Sequence, residues 1–160
     1  MRNIKIRLNP PVFTIFIFSF AIFALTVMIN KNVSAQGVRQ GKAAYGSKLI
    51  NRGRYLVEDV GKCSDCHTPR DRFGRPIKAK WLEGTVLNMK PIHPVPGWAE
   101  KSVNIAGLPK GWTENNMIKF LTTGINPKGK FARPPMPVYR LTKEDAIAVT
   151  YYLKSLKPKK

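Results

Sequence analysis

The apolar residues between Ser47 and Gly61 recur at the spacing of one face of an α-helix. They are Leu49, Ile50, Leu56, Val57 and Val60. Serine is a common helix N-cap, and glycine is the residue most often found just past a helix C-terminus. The pattern therefore predicts a first helix that begins at Ser47 and ends at Gly61.

Two further helices are predicted in the C-terminal third of the chain. Thr113 caps the first of them and Gly124 ends it, with Met117, Ile118, Phe120 and Leu121 on its apolar face. Thr142 begins the second, and Asp145 three positions later completes a capping box. This last helix has an apolar face and stops before Pro158, its apolar positions being Ala146, Val149, Leu153 and Leu156.

The helical pattern is lost between residues 68 and 111. Prolines interrupt the segment at Pro69, Pro76, Pro91, Pro94, Pro96 and Pro109. Because proline fixes φ and has no N–H, such a segment forms neither a long helix nor a central strand. Loops this long are uncommon in a compact domain unless they wrap something or are functional. We therefore expect an all-α fold, with three or more short helices and long proline-rich loops around a bound prosthetic group.

The only two cysteines lie in the sequence CSDCH, as Cys63 and Cys66 directly before His67. Cys-x-x-Cys-His is the attachment signature of c-type haem. Each thiol adds across one vinyl group, and two intervening residues let both sulfurs reach one porphyrin. The turn then places His67 under the iron as proximal ligand. Its other ring nitrogen needs a hydrogen-bond acceptor, for which the Pro76 carbonyl is a candidate.

A cysteine pair also occurs in redox motifs, zinc sites and disulfides. A thioredoxin-like redox pair follows a strand in a βαβ unit, and the pattern predicts no strand. Zinc needs further ligands, of which only His93 remains in the chain. A disulfide suits an exported protein but leaves His67 and the long loops unexplained. The motif therefore favours one covalently bound haem c.

The sixth position of the iron is either open or closed by a second side chain. The candidates are Met89, His93, Met117 and Met136. Met117 lies on a predicted apolar helix face, which favours core packing, whereas Met89 and His93 flank Pro91 in the long loop. Met136 lies in the sequence PPMPV, where Pro134, Pro135 and Pro137 are expected to hold the backbone extended and to stiffen it. Met136 is therefore the predicted distal ligand.

The N-terminal segment reads as an export signal or a membrane anchor. Arg2, Lys5 and Arg7 precede an uncharged apolar run of 18 residues at positions 12–29. Val33 and Ala35 fit the −3 and −1 positions of a cleavage site, which favours cleavage after Ala35. Residues 1–35 are thus a signal peptide or anchor, residues 36–46 a linker, and residues 47–160 the folded domain. We expect a periplasmic or otherwise extracytoplasmic protein, with membrane contact through residues 12–29 if the segment is retained.

The chain is strongly basic, with 28 Lys and Arg against 9 Asp and Glu and a formal charge of +19. Residues 1–35 contain four of the basic residues and no acid, so the exported part still carries +15. A positive charge of this size attracts acidic partners. It is equally typical of a well-solvated surface that has no partner. No nucleic-acid recognition pattern is present in the sequence, so a nucleic-acid partner is not expected.

Residues 47–157 resemble a single-haem class I cytochrome c. The resemblance rests on CSDCH, on Met136 in the sequence RPPMPVYRLTKEDAIAVTYYLKSLK, and on the flanking helices. More narrowly, these stretches are similar to cytochrome subunits that accompany bacterial membrane-bound alcohol, aldehyde or gluconate-type dehydrogenases. Those subunits commonly carry several haems, whereas this chain has one motif. The single motif favours a separate carrier over a complex subunit.

The resemblance implies that the first and last helices cross beside the haem. It places the family's small-residue and aromatic contacts at Gly53 with Tyr55, and at Tyr151 or Tyr152 with Leu153. It implies a periplasmic one-electron carrier that is not itself an enzyme; the alternatives are a dehydrogenase subunit and an open-face haem sensor or peroxidase. Candidate docking charges for acidic redox partners are Lys62, Lys78, Lys80, Lys128 and Lys130. Candidate contacts of the haem propionates are Arg70, Arg72, Arg75, Trp81 and Tyr139.

Overall fold

The fold is described for residues 44–156, from a computed structural model of the chain. Helix α1 covers residues 44–60 and ends in a π-helical turn at Leu56–Val60. Helices α2, α3 and α4 follow at Cys63–His67, Glu114–Thr123 and Lys143–Ser155, with a 3₁₀ turn at Lys78–Lys80. Within this part of the chain, extended pairing is limited to three isolated bridges. The predicted all-α class is confirmed.

Helix α1 departs from the prediction at both ends. Ser47 lies inside the helix, so the predicted start at this residue is wrong. At the C-terminus, the Gly61 N–H donates to the Leu56 carbonyl at 2.7 Å, a π-type bond that adds a residue to the last turn. The left-handed residue there is Lys62 at φ 47°, whereas Gly61 keeps a right-handed conformation at φ −80°. Helix α1 therefore delivers the chain directly into the cysteine motif.

Helices α1 and α4 approach closely enough that only glycine fits at the crossing. A Cβ placed on Gly53 would lie 2.0 Å from the Ala148 carbonyl oxygen and 2.7 Å from Cβ of Tyr152. Arg52 pairs with Asp145 beside this crossing, at 2.9 and 3.1 Å. The helix crossing implied by the family resemblance is present.

The complete capping box lies at the start of α3, whereas the sequence predicted it at the start of α4. Thr113 and Asn116 form a complete capping box at the start of α3. Thr142 caps α4 by accepting from the Asp145 N–H at 3.2 Å, but the Asp145 carboxylate pairs with Arg52 instead of returning to the cap. A tertiary ion pair has thus taken over the second half of the predicted box.

The hydrophobic core lies among α1, α3 and α4 and includes residues of the long loop. Its buried members include Val57, Leu82, Ile105, Leu121, Ala146 and Leu153. Leu82 is fully buried at φ 58°, and its carbonyl accepts from the N–H groups of Ile105 and Ala106 at 2.9 and 3.2 Å. The loop is therefore part of the folded core.

No helix within residues 44–156 combines the length and hydropathy that a membrane crossing requires. The apolar run at residues 12–29, the predicted cleavage site at Ala35 and residues 36–43 of the predicted linker lie outside the described residues. The last three linker positions, residues 44–46, belong to helix α1.

Candidate haem-binding site

The cysteine motif forms a single helical turn, α2. Lys62 in the left-handed region redirects the chain after α1, and the Asp65 N–H donates to the Lys62 carbonyl at 2.9 Å. Residues three positions apart lie on the same side of a helix, so Cys63 and Cys66 face one direction. Both line one cavity together with His67.

His67 is buried and fixed through both its side chain and its backbone. Its Nδ1 lies 2.8 Å from the Val103 carbonyl oxygen, and its own carbonyl accepts from the Gly84 N–H at 2.7 Å. A carbonyl oxygen can only accept, so Nδ1 carries the hydrogen and Nε2 keeps its lone pair. Burial lowers the pKa of His67, and the bond to Val103 opposes this shift. The ring is thereby held in the neutral form that ligates iron.

The expected acceptor at Pro76 is wrong, and the reason lies in the path of the loop. Pro76 pairs with Arg70 in an isolated bridge. The loop instead folds back through Leu82, whose N–H donates to Thr68 Oγ1 at 2.9 Å. An excursion across residues 84–102 then returns Val103 to His67.

The cavity has a volume of about 480 Å³. Its walls come from every helix and from the long loop, and they are mostly apolar: Val57, Leu87, Ile105, Trp112, Phe120 and Leu121 are among them. Volumes of roughly 300–1,000 Å³ with apolar walls and a few polar groups are typical of cofactor sites. The apolar walls suit an apolar macrocycle, and the two thiols and the imidazole of the Cys-x-x-Cys-His motif border the same cavity.

Both cysteines are free thiols, so no disulfide forms between them. Burial raises the pKa of the Cys63 thiol, while a hydrogen bond with Tyr139 partly opposes the shift. Across residues 44–156, no three His, Cys, Asp or Glu side chains come together in a way that could hold a metal ion.

Met136 lines the same cavity as the CSDCH turn, from a part of the chain 69 residues away. The expected extended backbone around it is wrong. Pro134 and Pro135, joined by a cis peptide bond, form a tight turn in which the Met136 N–H donates to the Arg133 carbonyl at 3.0 Å. The turn satisfies this N–H and directs the chain past the cavity.

The other candidate distal ligands separate into two groups. Met117 is buried at 4 % exposure, belongs to the core and also lines the cavity. Met89 is 45 % exposed, His93 is also exposed, and neither is among the lining residues. Of the four side chains considered, only Met117 and Met136 therefore border the cavity.

The candidate propionate contacts are mostly engaged elsewhere. Arg70 pairs with Asp65 at 2.7 Å, Arg75 pairs with Asp71 at 3.0 Å, and Arg72 stacks on Phe73. The Trp81 side chain interacts with Tyr152 and, like the three arginines, is not among the lining residues. Tyr139 does line the cavity and donates to the Gly61 carbonyl at 3.1 Å.

Sequence reasoning missed Trp98, whose buried indole N–H has no hydrogen-bond partner among residues 44–156. The next residue, Ala99, lines the cavity. A buried donor without an acceptor is costly, so this group fits a ligand that brings an acceptor, such as a porphyrin carboxylate. A lone tryptophan in a proline-rich loop carries no pattern that would have marked it.

The predicted docking lysines are all exposed. Lys62 borders the cavity, as does Lys101, which the sequence did not single out. Lys128 and Lys130 lie in a turn whose backbone N–H groups donate to the Asn126 side chain at 2.9 and 3.1 Å, and Asn126 also lines the cavity. Several positive charges therefore surround or approach the cavity.

A helical domain whose long loop closes an apolar cavity over a Cys-x-x-Cys-His turn belongs to the class of covalent haem proteins. The chain is a member of the cytochrome c family, whose model, described as Cytochrome c, matches residues 38–157. Members of this family are haem proteins that transfer electrons.

The curated relatives are mainly larger cytochrome chains. The chain is 33 % identical over 108 residues to a diheme cytochrome c-type protein of Cereibacter sphaeroides, covering 64 % of this chain and 34 % of the relative. It is 32 % identical over 123 residues to the gluconate 2-dehydrogenase cytochrome c subunit of Pantoea cypripedii, covering 71 % and 27 %. For the fructose dehydrogenase cytochrome subunit of Gluconobacter japonicus the identity is 28 % over 118 residues, covering 68 % and 22 %. The chain thus spans about a third or less of these relatives.

Proposed function

We propose that this chain is a one-electron carrier with a single haem c, attached through Cys63 and Cys66 and ligated by His67 and Met136. One observation carries the proposal: the cysteine turn and Met136, far apart in sequence, line the same cavity. The haem, when bound, supplies the one-electron chemistry. The chain's own groups bind it, orient it and keep water from it.

His67 and Met136 set the electronic character of the site. The Val103 carbonyl fixes the His67 ring and directs the Nε2 lone pair away from the protein backbone. The Met136 thioether would favour the reduced state of a bound haem and so raise its reduction potential. The apolar cavity walls act in the same direction, because burial penalises the extra charge of the oxidised state.

Met136→Ala tests the ligand assignment directly. The ferric protein should show the weak red charge-transfer band of methionine-ligated haem, and the substitution should abolish it. Met117→Leu is the matched control, because Met117 is the other methionine that borders the cavity. A band that survives in Met136→Ala and disappears in Met117→Leu would move the ligand to α3. A wild-type protein without the band would favour the open-face reading.

The chain acts, in this proposal, on the extracytoplasmic side of the membrane and is not an enzyme by itself. The support is the basic, apolar N-terminal segment and the favourable cleavage residues up to Ala35. Intact mass of the purified protein tests this, because cleavage after Ala35 and one added haem each change the mass by a defined amount. The retained full-length mass would instead support a membrane-tethered carrier.

A second function is favoured by the names of the relatives. Several are cytochrome subunits of gluconate, fructose and alcohol dehydrogenases. The chain would then pass electrons from such a dehydrogenase as part of its complex. Stable copurification with a catalytic subunit supports this alternative, whereas a monomeric protein that exchanges electrons only on encounter supports the carrier.

A further inference from the structure

The Met136 turn is tied to a distant loop segment through one arginine side chain. Arg133 Nε donates to the Gly97 carbonyl at 2.8 Å, and its terminal nitrogen donates to the Trp98 carbonyl at the same distance. The planar guanidinium thus binds two consecutive backbone carbonyls as a fork. Arg133 also lines the cavity that Met136 borders.

One backbone bond adds to this tie, and a second closes the turn itself. The Ala99 N–H donates to the Pro134 carbonyl at 2.6 Å, and the Met136 N–H donates back to the Arg133 carbonyl at 3.0 Å. Segment 97–99 and turn 133–136 are therefore joined by three hydrogen bonds, two of which come from a single side chain.

The composition of the turn explains why a side chain is needed. Pro134, Pro135 and Pro137 have no backbone N–H, and the Met136 N–H is used inside the turn. Residues 134–137 consequently have no N–H left to donate across to segment 97–99. The Arg133 guanidinium supplies the missing donors, and its bonds are charge-assisted.

We propose that Arg133 is a positioning residue for the distal ligand: by strapping the Met136 turn to Gly97 and Trp98, it slows the departure of the thioether from the iron. This inference rests on the proposed ligation by Met136. It gives the exposed arginine a positioning role at the haem, through the two bonds of its guanidinium fork.

The test is the rate at which cyanide binds the ferric haem protein, since cyanide enters only when the distal ligand leaves. Arg133→Ala should raise this rate by about tenfold, the order of magnitude expected from losing two charge-assisted hydrogen bonds at an exposed site. Arg133→Lys keeps the positive charge but not the fork, so its cyanide binding rate should lie between those of wild type and Arg133→Ala. Arg140→Ala is the matched control, because it removes one exposed arginine from the same stretch and should leave the rate within twofold of wild type.

Hydrogen exchange of the Ala99 and Met136 amides gives a readout that does not depend on ligation. Both amides should exchange faster in Arg133→Ala, with the thermal midpoint recorded to detect a general loss of stability. Should Arg133→Ala fail to yield haem protein, Arg133→Lys carries the same comparison. Unchanged cyanide binding in both Arg133 variants, or equal acceleration in Arg140→Ala, overturns the proposal.

The failure of this inference is distinct from failure of the proposed function. If the red band is present in wild type and lost in Met136→Ala, ligation by Met136 stands whatever the Arg133 variants do. If the band survives in Met136→Ala, the ligand assignment itself is wrong, and faster amide exchange in Arg133→Ala would then report only on the loop.

Discussion

Single residues in this protein serve two elements at once, and His67 is the main example. Its ring faces the cavity, its Nδ1 bonds Val103, and its carbonyl accepts from Gly84. The segments that begin and end the excursion across residues 84–102 are thus both hydrogen-bonded to His67. A substitution that disturbs either of these bonds should change the orientation of the His67 ring.

Tyr152 joins α4 to α1 and to the loop. Its hydroxyl donates to the Glu58 carboxylate and interacts with Trp81. Burial and then the bond to Glu58 raise its pKa to about 12. The folded state therefore holds this proton more strongly than the unfolded chain, in which the pKa of tyrosine is about 10.

A pH dependence of stability follows from Tyr152. Its contribution is complete below pH about 10 and is lost as pH rises towards about 12, because the unfolded state releases its proton first. Tyr152→Phe should flatten the fall in unfolding free energy between these values. Tyr151→Phe, at an exposed neighbour, should leave the fall as it is in wild type. Denaturant unfolding at several pH values measures the difference, and identical curves for wild type and Tyr152→Phe would refute the assignment.

At the scale of elements, the α1–α4 crossing leaves no room for a side chain at Gly53. The nearest atom to an added Cβ is backbone, the Ala148 carbonyl oxygen at 2.0 Å, so a rotamer change cannot relieve the clash. The two helices would have to separate, which would also disturb the cavity wall that Val57 and Val149 provide.

Gly53→Ala should therefore destabilise the protein by about 3 kcal/mol or more, through overpacking at a rigid contact. Gly46→Ala is the matched control in the same helix, where an added Cβ has nothing within 4 Å. There the substitution should stabilise by about 0.5–1 kcal/mol, because alanine loses less entropy on folding. Thermal or denaturant unfolding measures both, and a Gly53→Ala protein as stable as wild type would contradict the crossing.

At the scale of the whole molecule, the positive charge governs encounter with other molecules. The formal charge is +19, and Lys62 and Lys101 stand at the border of the cavity. A field of this sign steers anions towards the site and weakens as salt screens it.

Oxidation of the ferrous protein by ferricyanide, an anionic acceptor, should slow as ionic strength rises. At low salt, Lys62→Glu should lower the second-order rate constant several-fold, because it reverses a charge at the cavity border. Lys143→Glu makes the same change at an exposed residue that starts α4 and does not line the cavity, and it should have a smaller effect. Stopped-flow kinetics measures both, and equal effects would show that only net charge matters.

Short-range features of this protein were predictable because their cause is local. The all-α class and the helices at Thr113 and Thr142 follow from apolar periodicity and caps. The CSDCH motif predicts haem attachment, because two thiols and an imidazole must lie within one turn to reach one porphyrin. The prolines around Met136 predict it as the distal ligand. The backbone there is nevertheless a tight turn and not extended.

What only the tertiary structure decided are pairings between distant backbone groups. The acceptor for His67 is Val103 and not Pro76, Asp145 pairs with Arg52, and Arg133 binds Gly97 and Trp98. No periodicity encodes such contacts, because each depends on how a proline-rich excursion returns to the core. The sequence by itself therefore determined the helices and the candidate attachment motif. The path of the loop decided which backbone groups hold His67 and the Met136 turn in place, because those groups are distant in sequence.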